Sequence, residues 1–260
     1  MENRKCRGKE AAFLLLIVLL PFIVQPVAHA ASKTIAVSPD WEIALHPPEE
    51  PKQLVDSIRL LIVMSILTLA PSILTLLTSF TRIIVVFSLL RSALATQQTP
   101  PNQVLIGLAL FLTFFIMSPV VNQIMDQAVN PYLDGTITQD EAIRTGIKPV
   151  KEFMLRQTRE KDLALFVDIS REKMPKDRMD VSMTTLIPAF VISELKTAFT
   201  IGFLLYIPFI VIDMVVSGIL MSMGMFMLPP AAISLPFKLL LFILVDGWHL
   251  IVKSLVEGFL

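Results

Sequence analysis

Five charged side chains interrupt the strongly apolar carboxyl-terminal third of the chain. They are Glu194, Lys196, Asp213, Lys238 and Asp246. A charge near the centre of a bilayer costs about 3 kcal/mol on insertion scales. Each of these side chains therefore needs a partner of opposite charge, inside a protein assembly or a wet channel. The chemistry that this pattern predicts is charge pairing.

Glu194 and Lys238 are predicted to form a buried ion pair, either within one chain or between neighbouring chains. Lys196 is no suitable partner for Glu194, because residues two apart on a helix do not face each other. Lys196, Asp213 and Asp246 are predicted to be further buried charges. The alternative, in which each charge reaches a membrane interface along its own side chain, fits Lys238 better than the shorter Glu194.

Residues for catalysis are sparse. The chain has one cysteine, Cys6, and its three histidines, His29, His46 and His249, form no spacing motif. It contains no phosphate-binding G-x-x-x-x-G-K-[ST] loop and no zinc-binding H-E-x-x-H. The formal net charge is zero, so no basic surface for nucleic acid is expected. We expect neither an enzyme nor a bound cofactor.

One calcium-like pattern occurs between residues 130 and 141. Asn130, Asp134 and Glu141 follow the spacing of a calcium-binding loop. Tyr132 replaces a required ligand, and Pro131 lies inside the loop. The pattern is better explained as an Asp-Gly turn before a capped helix, so no metal is expected.

The composition is typical of a polytopic membrane protein. Hydrophobic residues make up 54% of the chain, its mean hydropathy is +0.71, and charged residues make up 17%. An average soluble domain has about 25% charged residues. We therefore predict an all-α, polytopic membrane protein built from helical hairpins with broken tips.

The amino-terminal segments are predicted to lie outside the membrane after processing. Residues 1–30 carry a basic start, an apolar run and the sequence Ala28-His29-Ala30, which is typical of a cleaved signal peptide. The mature chain is then predicted to begin at Ala31. Residues 31–57 are polar and contain several prolines, so we expect an extended, extracytoplasmic lead-in.

Three further segments complete the predicted organisation. Residues 58–121 form a first membrane-associated region, whose arginines Arg82 and Arg91 suit a cytoplasmic helix end. Residues 122–185 form a hydrophilic, extracytoplasmic helical loop with a capped helix after Thr138. Residues 186–260 form pore-forming helical hairpins. Hydropathy predicts four spans after cleavage.

The tip of the predicted carboxyl-terminal hairpin is rich in methionine. Gly224, Pro229 and Pro230 break the helix, and four methionines alternate before them at positions 221, 223, 225 and 227. Methionine is most often a flexible core filler. In a ring of subunits, however, the same side chains would form a soft apolar plug that excludes ions by dewetting.

Several blocks resemble the FliP family of flagellar export-gate proteins. The resemblance covers about residues 55–252 and is carried by distinct motifs: Ser79–Arg91, Thr96–Asn102, Pro188–Phe209, Gly224–Pro230, Leu235–Lys238 and Asp246–Trp248. It implies a protein of the bacterial cytoplasmic membrane at the flagellar basal body, with much of its mass on the extracytoplasmic side. It further implies a ring of like subunits, a pentamer, with the FliQ, FliR and FlhB proteins.

The resemblance also implies a role for the hairpin tip. Unfolded export substrates pass through the ring, and Met225, Phe226 and Met227 take the place of the family's pore gasket. Phe226 stands where methionine is common, and Thr200 stands where a longer polar residue is usual. A phenylalanine makes this part of the gasket bulkier and stiffer than a methionine does.

Other functions stay open at this stage. A homologue in a virulence injectisome would share the core, although such proteins are shorter. A small-solute or ion channel would also explain buried charges and a methionine constriction. A membrane-embedded enzyme would have to work with aspartate and glutamate alone.

Overall fold

The computed structural model describes residues 51–96, 98–170 and 177–259, and their regular structure is entirely helical. The predicted signal peptide lies outside these residues. The α-helices are α1 (Pro51–Leu77), α2 (Phe80–Ala93), α3 (Asn102–Ile124), α4 (Asn130–Leu133), α5 (Gln139–Gln157), α6 (Glu160–Ser170), α7 (Met183–Ser222), α8 (Pro230–Leu244) and α9 (Gly247–Glu257). This confirms the all-α prediction.

Helix α1 crosses the boundary between two compact units, which lies after Pro71. The helix begins at Pro51, where a missing backbone N–H leaves no helical hydrogen bond unmade. The prediction of an extended lead-in is therefore wrong for residues 51–57, and residues 31–50 lie outside the described part. The apolar stretch Leu60–Leu69 exposes large side chains such as Leu61 and Leu67.

In the second unit, α2 and α7 run side by side in the same direction. Arg82, near the start of α2, bonds to Glu194 of α7, and the Tyr206 hydroxyl donates to the Ser92 carbonyl near the end of α2. The core between and around them is built from fully buried apolar side chains: Ile83, Val86, Phe87, Leu186, Ala189, Phe190 and Ala198. Helix α2 is therefore a core element.

Helices α8 and α9 return along α2 in the opposite direction. Lys238 of α8 reaches the Ala93 carbonyl at the end of α2, and Trp248 of α9 packs edge-on against Phe87 in its middle. The two helices bend by 61° at their junction. Asp246 adopts a left-handed conformation there, with φ of +50°.

The segment predicted as one hydrophilic helical loop, residues 122–185, contains several helices. Helix α3 continues through a π-helical turn, Met125–Val129, into α4. The predicted cap of α5 is confirmed, because the Thr138 side chain accepts a hydrogen bond from the Glu141 backbone N–H. The helical part of this segment is divided, since α5 ends at Gln157 and α6 begins at Glu160.

Two helical stretches are long and apolar enough to cross a membrane, namely Asn102–Leu133 and α7. The bent pair α8–α9 makes a third if it counts as one span. A further apolar stretch, Leu60–Leu69 of α1, lies where the first of the four predicted spans is expected, and it is shorter than a span within the described residues. The apolar run is divided at Thr78–Ser79, and α2, which follows the division, has a buried face.

Candidate functional site

Arg82 and Glu194 form a buried, two-point ion pair between α2 and α7. The Arg82 Nε lies 2.9 Å from Glu194 Oε2, and its Nη2 donates to Oε1. Glu194 is fully buried and Arg82 is 4% exposed. A bidentate arginine–carboxylate pair has the geometry that best offsets the loss of water around both charges.

The remaining donors of Arg82 bind two other segments. Its Nη2 donates to the Gln157 side chain at 3.0 Å, and its Nη1 donates to the Gly258 carbonyl at 3.1 Å. The Phe259 ring lies over the guanidinium, with its centroid 3.8 Å from Cζ. Gln157 in turn donates to the Phe259 carbonyl. We call these five residues the Arg82 cluster.

The break between α5 and α6 is tied to the same region of α7. The Arg159 backbone N–H donates to the Ser193 hydroxyl at 3.0 Å, and that hydroxyl lies 3.3 Å from the Gln157 carbonyl. The Arg159 guanidinium donates to the Thr197 hydroxyl. These bonds satisfy backbone groups that a helix end leaves unpaired. They also hold Gln157 in place for Arg82.

A second charged group joins α7, α8 and α2, and we call it the Asp213 cluster. The Lys238 ammonium lies 2.7 Å from Asp213 Oδ2 and 3.2 Å from the Ala93 carbonyl oxygen. The fully buried Ser234 hydroxyl donates to Asp213 Oδ1 at 2.5 Å. The cluster closes α7 and α8 into an antiparallel hairpin.

The predicted ion pair between Glu194 and Lys238 is wrong. Both side chains are buried as expected, at 0% and 2% exposure. Glu194 pairs with Arg82 near the start of α2, whereas Lys238 pairs with Asp213 and reaches the Ala93 carbonyl at the end of α2. The two side chains are therefore held at opposite ends of that helix. The prediction failed because Arg82 was assigned to a helix end in water, which removed the right cation from consideration.

The other predicted charges behave differently from one another. The Asp213 side chain is 36% exposed and paired. Lys196 and Asp246 are exposed rather than buried, and neither side chain has a hydrogen-bond or ion-pair partner within the described ranges. Sequence reasoning missed Arg82, Gln157, Ser234 and Phe259. A buried role for Arg82 could have been inferred from the continuously apolar residues that follow it in α2.

The hairpin tip begins with a glycine-terminated helix end. Gly224 has φ of +74°, a left-handed conformation that glycine adopts without a Cβ penalty. The Met225 N–H donates to the Leu220 carbonyl and the Gly224 N–H to the Met221 carbonyl. This is the Schellman arrangement, which satisfies the last carbonyls of α7. Pro230 then begins α8, so the predicted break at Gly224, Pro229 and Pro230 is confirmed.

The three side chains predicted as a pore gasket project away from the chain. Met225 is 40% exposed, Phe226 is 78% exposed and Met227 is 98% exposed. Exposed apolar side chains clustered at one place mark a contact with a protein, a ligand or a membrane. Their backbone is held by the helix ends on both sides, so the tip presents them in a defined place.

The fold and these sites define an all-helical, polytopic membrane protein with buried ion pairs and an exposed apolar hairpin tip. The model of the FliP family matches residues 63–255, and the chain belongs to this family.

Relatives of known name agree with this assignment. The flagellar biosynthetic protein FliP of Bacillus subtilis (strain 168) is 54% identical over 217 residues, which cover 84% of this chain and 98% of the relative. The protein of that name from Pectobacterium carotovorum subsp. carotovorum is 56% identical, over 78% of this chain and 79% of its own length. The protein of that name from Caulobacter vibrioides is 47% identical, over 96% of this chain and 91% of the relative.

Proposed function

We propose that this protein is a core, non-enzymatic component of the flagellar type III export gate in the bacterial cytoplasmic membrane. Membership of the FliP family supports this function, and each of the three relatives described above is named a flagellar biosynthetic protein. In this proposal the unfolded proteins that build the flagellum cross the membrane through a channel to which the chain contributes.

The exposed apolar hairpin tip is the observation that best supports a channel. Copies of the chain form a ring, a pentamer, together with FliQ, FliR and FlhB at the flagellar basal body. Their tips converge, and Met225, Phe226 and Met227 of each copy line the narrowest point. Met227 is 98% exposed in a single chain. Contact with the methionines of other copies would remove this apolar side chain from water, which is favourable and supports the arrangement.

The chemistry of the tip suits an unfolded polypeptide better than an ion. The segment from Met221 to Pro230 has no charged side chain, and its one hydroxyl, that of Ser222, bonds back to the Ile219 carbonyl. A hydrophobic constriction blocks ions by dewetting. Flexible methionine side chains adapt to the varied side chains of a passing chain.

A deletion strain tests the flagellar assignment. We expect cells that lack this protein to make no filament and to export no flagellin. Plasmid-borne wild-type protein should restore both. A small-solute channel would instead give a selective conductance that persists without other flagellar proteins, and normal filaments in the deletion strain would refute the export-gate proposal.

Deletion of Met225–Met227 tests the gasket. Loss of the apolar constriction should raise the permeability of the membrane to small ions, while export substrates still pass. Met225→Ser should do the same more weakly, by wetting the constriction. Met214→Ser is a matched control, because Met214 is 69% exposed but lies on α7 away from the tip. An assembled deletion variant that is as ion-tight as wild type would remove these residues from the gasket.

A further inference from the structure

The charges of the apolar carboxyl-terminal region do not all find partners within one chain. Glu194 is paired with Arg82, and Asp213 is paired with Lys238. Lys196 and Asp246 remain, one of each sign, and both side chains are exposed without a partner in the described ranges. Two leftover charges of opposite sign would neutralise each other if a second copy brought them together.

The Asp246 side chain is exposed at the junction between α8 and α9. It precedes α9 at the 61° bend, but its side chain does not accept a hydrogen bond from the first turn of that helix. Aspartate at a helix start usually makes this bond. Large apolar side chains flank it, with Leu244 73% exposed and Val245 48% exposed. An unpaired carboxylate on such a surface is costly once water is excluded.

Lys196 lies in a similar setting on α7. Its neighbours on the exposed side are Ile192, 43% exposed, and Phe199, 57% exposed. Helix α7 is also one of the two stretches that are apolar and long enough to cross a membrane. The ammonium therefore needs an acceptor when this face meets lipid or protein.

The two positions lie at similar heights along the molecule. Lys196 follows Glu194, which is level with Arg82, whereas Asp246 precedes Trp248, which is level with Phe87. At 1.5 Å per helical residue the two Cα positions differ in height by roughly 8 Å. The long side chain of lysine covers much of that difference, so copies placed side by side with little vertical offset bring the two groups together.

We propose that Lys196 of one copy forms an ion pair with Asp246 of the next copy, once at every interface of the ring. Such a contact is heterologous, because the two copies use different surfaces, and repeated contacts of this kind generate a closed ring. The proposal rests on the ring that the proposed function includes, but not on passage of any substrate. The pair fixes which face of one subunit meets which face of its neighbour.

Thiol cross-linking tests the contact in membranes of cells that make the whole gate. Cys6→Ser removes the native cysteine, and Lys196→Cys with Asp246→Cys supplies a reactive pair. Because a direct disulfide requires Cα atoms within about 7 Å, a short bismaleimide that spans the two removed side chains is used. We expect a ladder of linked copies on denaturing gels.

Mixed expression makes the result specific. When Lys196→Cys and Asp246→Cys are on separate chains, linked dimers should form and no larger species. Asp246→Cys with Lys253→Cys is the matched control, since Lys253 is exposed but paired with Glu257 in its own helix, and it should give no ladder. A product of another mass, linked to a different protein, would overturn the pairing with a second copy.

Charge exchange provides a second, independent measurement. Lys196→Asp and Asp246→Lys should each lower the yield of assembled rings severalfold, and the double variant should recover most of it. Filaments formed without cross-links, and without rescue in the double variant, would refute the pair and leave the proposed function intact. The opposite outcome combines cross-linked rings in the cells that make the variant with normal filaments in the separate deletion strain. It would refute the proposed function and leave the ion pair intact.

Discussion

Arg82 connects four segments that are distant in the sequence. Its partners are Glu194, Gln157, Gly258 and Phe259, and the bond to Gly258 spans 176 residues. The planar guanidinium offers five N–H donors in a fixed fork and two faces for an aromatic ring. A lysine has one compact charge and cannot serve these directions together.

Arg82→Leu should strongly destabilise the protein. The change leaves Glu194 buried without a cation, and breaking a buried pair from one side typically costs about 3–5 kcal/mol. Arg82→Leu with Glu194→Leu removes both charges and should recover much of that loss. The measurement is the midpoint of thermal unfolding of the purified protein in detergent.

Arg178→Leu is the control for this pair. Its side chain is 51% exposed and lies 4.0 Å from Glu160, so the change should shift the midpoint little. If the double leucine variant is as unstable as Arg82→Leu alone, the loss comes from the other partners of Arg82 and not from the unpaired carboxylate.

The sequence predicted two of the buried charges, but not how they are paired, and it wrongly predicted Lys196 and Asp246 as buried. Glu194 and Lys238 are buried as predicted because a charge within an apolar run has to be accommodated. The partners depend on which helices are neighbours and on their direction, and local sequence holds no such information. Ser234 and Gln157 carry no charge, so nothing in the pattern marked them as ligands of Asp213 and Arg82.

At the scale of helices, the contact between α2 and α7 depends on a missing side chain. A Cβ atom placed on Gly202 would lie 2.2 Å from Leu89 Cδ1 and 3.0 Å from Leu89 Cβ. The second distance involves an atom fixed to the backbone, so a rotamer change cannot remove the clash. Glycine at this position therefore sets how closely the two helices approach.

Gly202→Ala should force α2 and α7 apart and lower the unfolding midpoint. Gly218→Ala, on the same helix, is the matched control, because a Cβ there meets no atom within 4 Å. Alanine stabilises an open helical position by roughly 0.5–1 kcal/mol relative to glycine. The two variants should thus move the midpoint in opposite directions, and a common direction would contradict the close packing.

Helix ends with strong local signals were predicted well. The threonine cap at Thr138 and the glycine end at Gly224 are local hydrogen-bond devices that the sequence shows directly. The division between α1 and α2 has a weaker signal. It is supported by the Thr78 hydroxyl, which accepts from the Phe80 N–H, and by the Thr81 hydroxyl, which donates to the Thr75 carbonyl. Hydropathy cannot detect such bonds, so it does not locate the division.

At the scale of the second unit, the two charged clusters fix α8–α9 at both ends of α2. Lys238 holds α8 near Ala93, and Gly258 and Phe259 hold the end of α9 at Arg82. Between them Trp248 contacts both Phe87 and Phe242. The helix pair is bent by 61° at the Asp246-Gly247 junction, so α9 does not continue the axis of α8. Its position is therefore set by contacts at its two ends.

Substitutions at Phe259 test whether the carboxyl-terminal contact stabilises the whole unit. Phe259 is 5% exposed, stacks on Phe153 with centroids 6.1 Å apart and lies over Arg82.

Phe259→Ala should cost about 3–5 kcal/mol, because it leaves a cavity. Phe259→Leu keeps much of the volume and loses the ring over the cation, a contact worth roughly 0.5–2 kcal/mol, so its effect should be smaller. Lys253→Ala, which removes an exposed ion pair at 3.9 Å on α9, is the control and should change little. Thermal unfolding followed through Trp248 fluorescence, in a Trp41→Phe background that removes the other tryptophan, gives the order of the three variants. A single cooperative transition that shifts in the order alanine, leucine, control is expected if the end of the chain belongs to the core. Local release of α9, with the Trp248 signal lost before the main transition and the main transition unchanged, would show that the contact holds α9 alone.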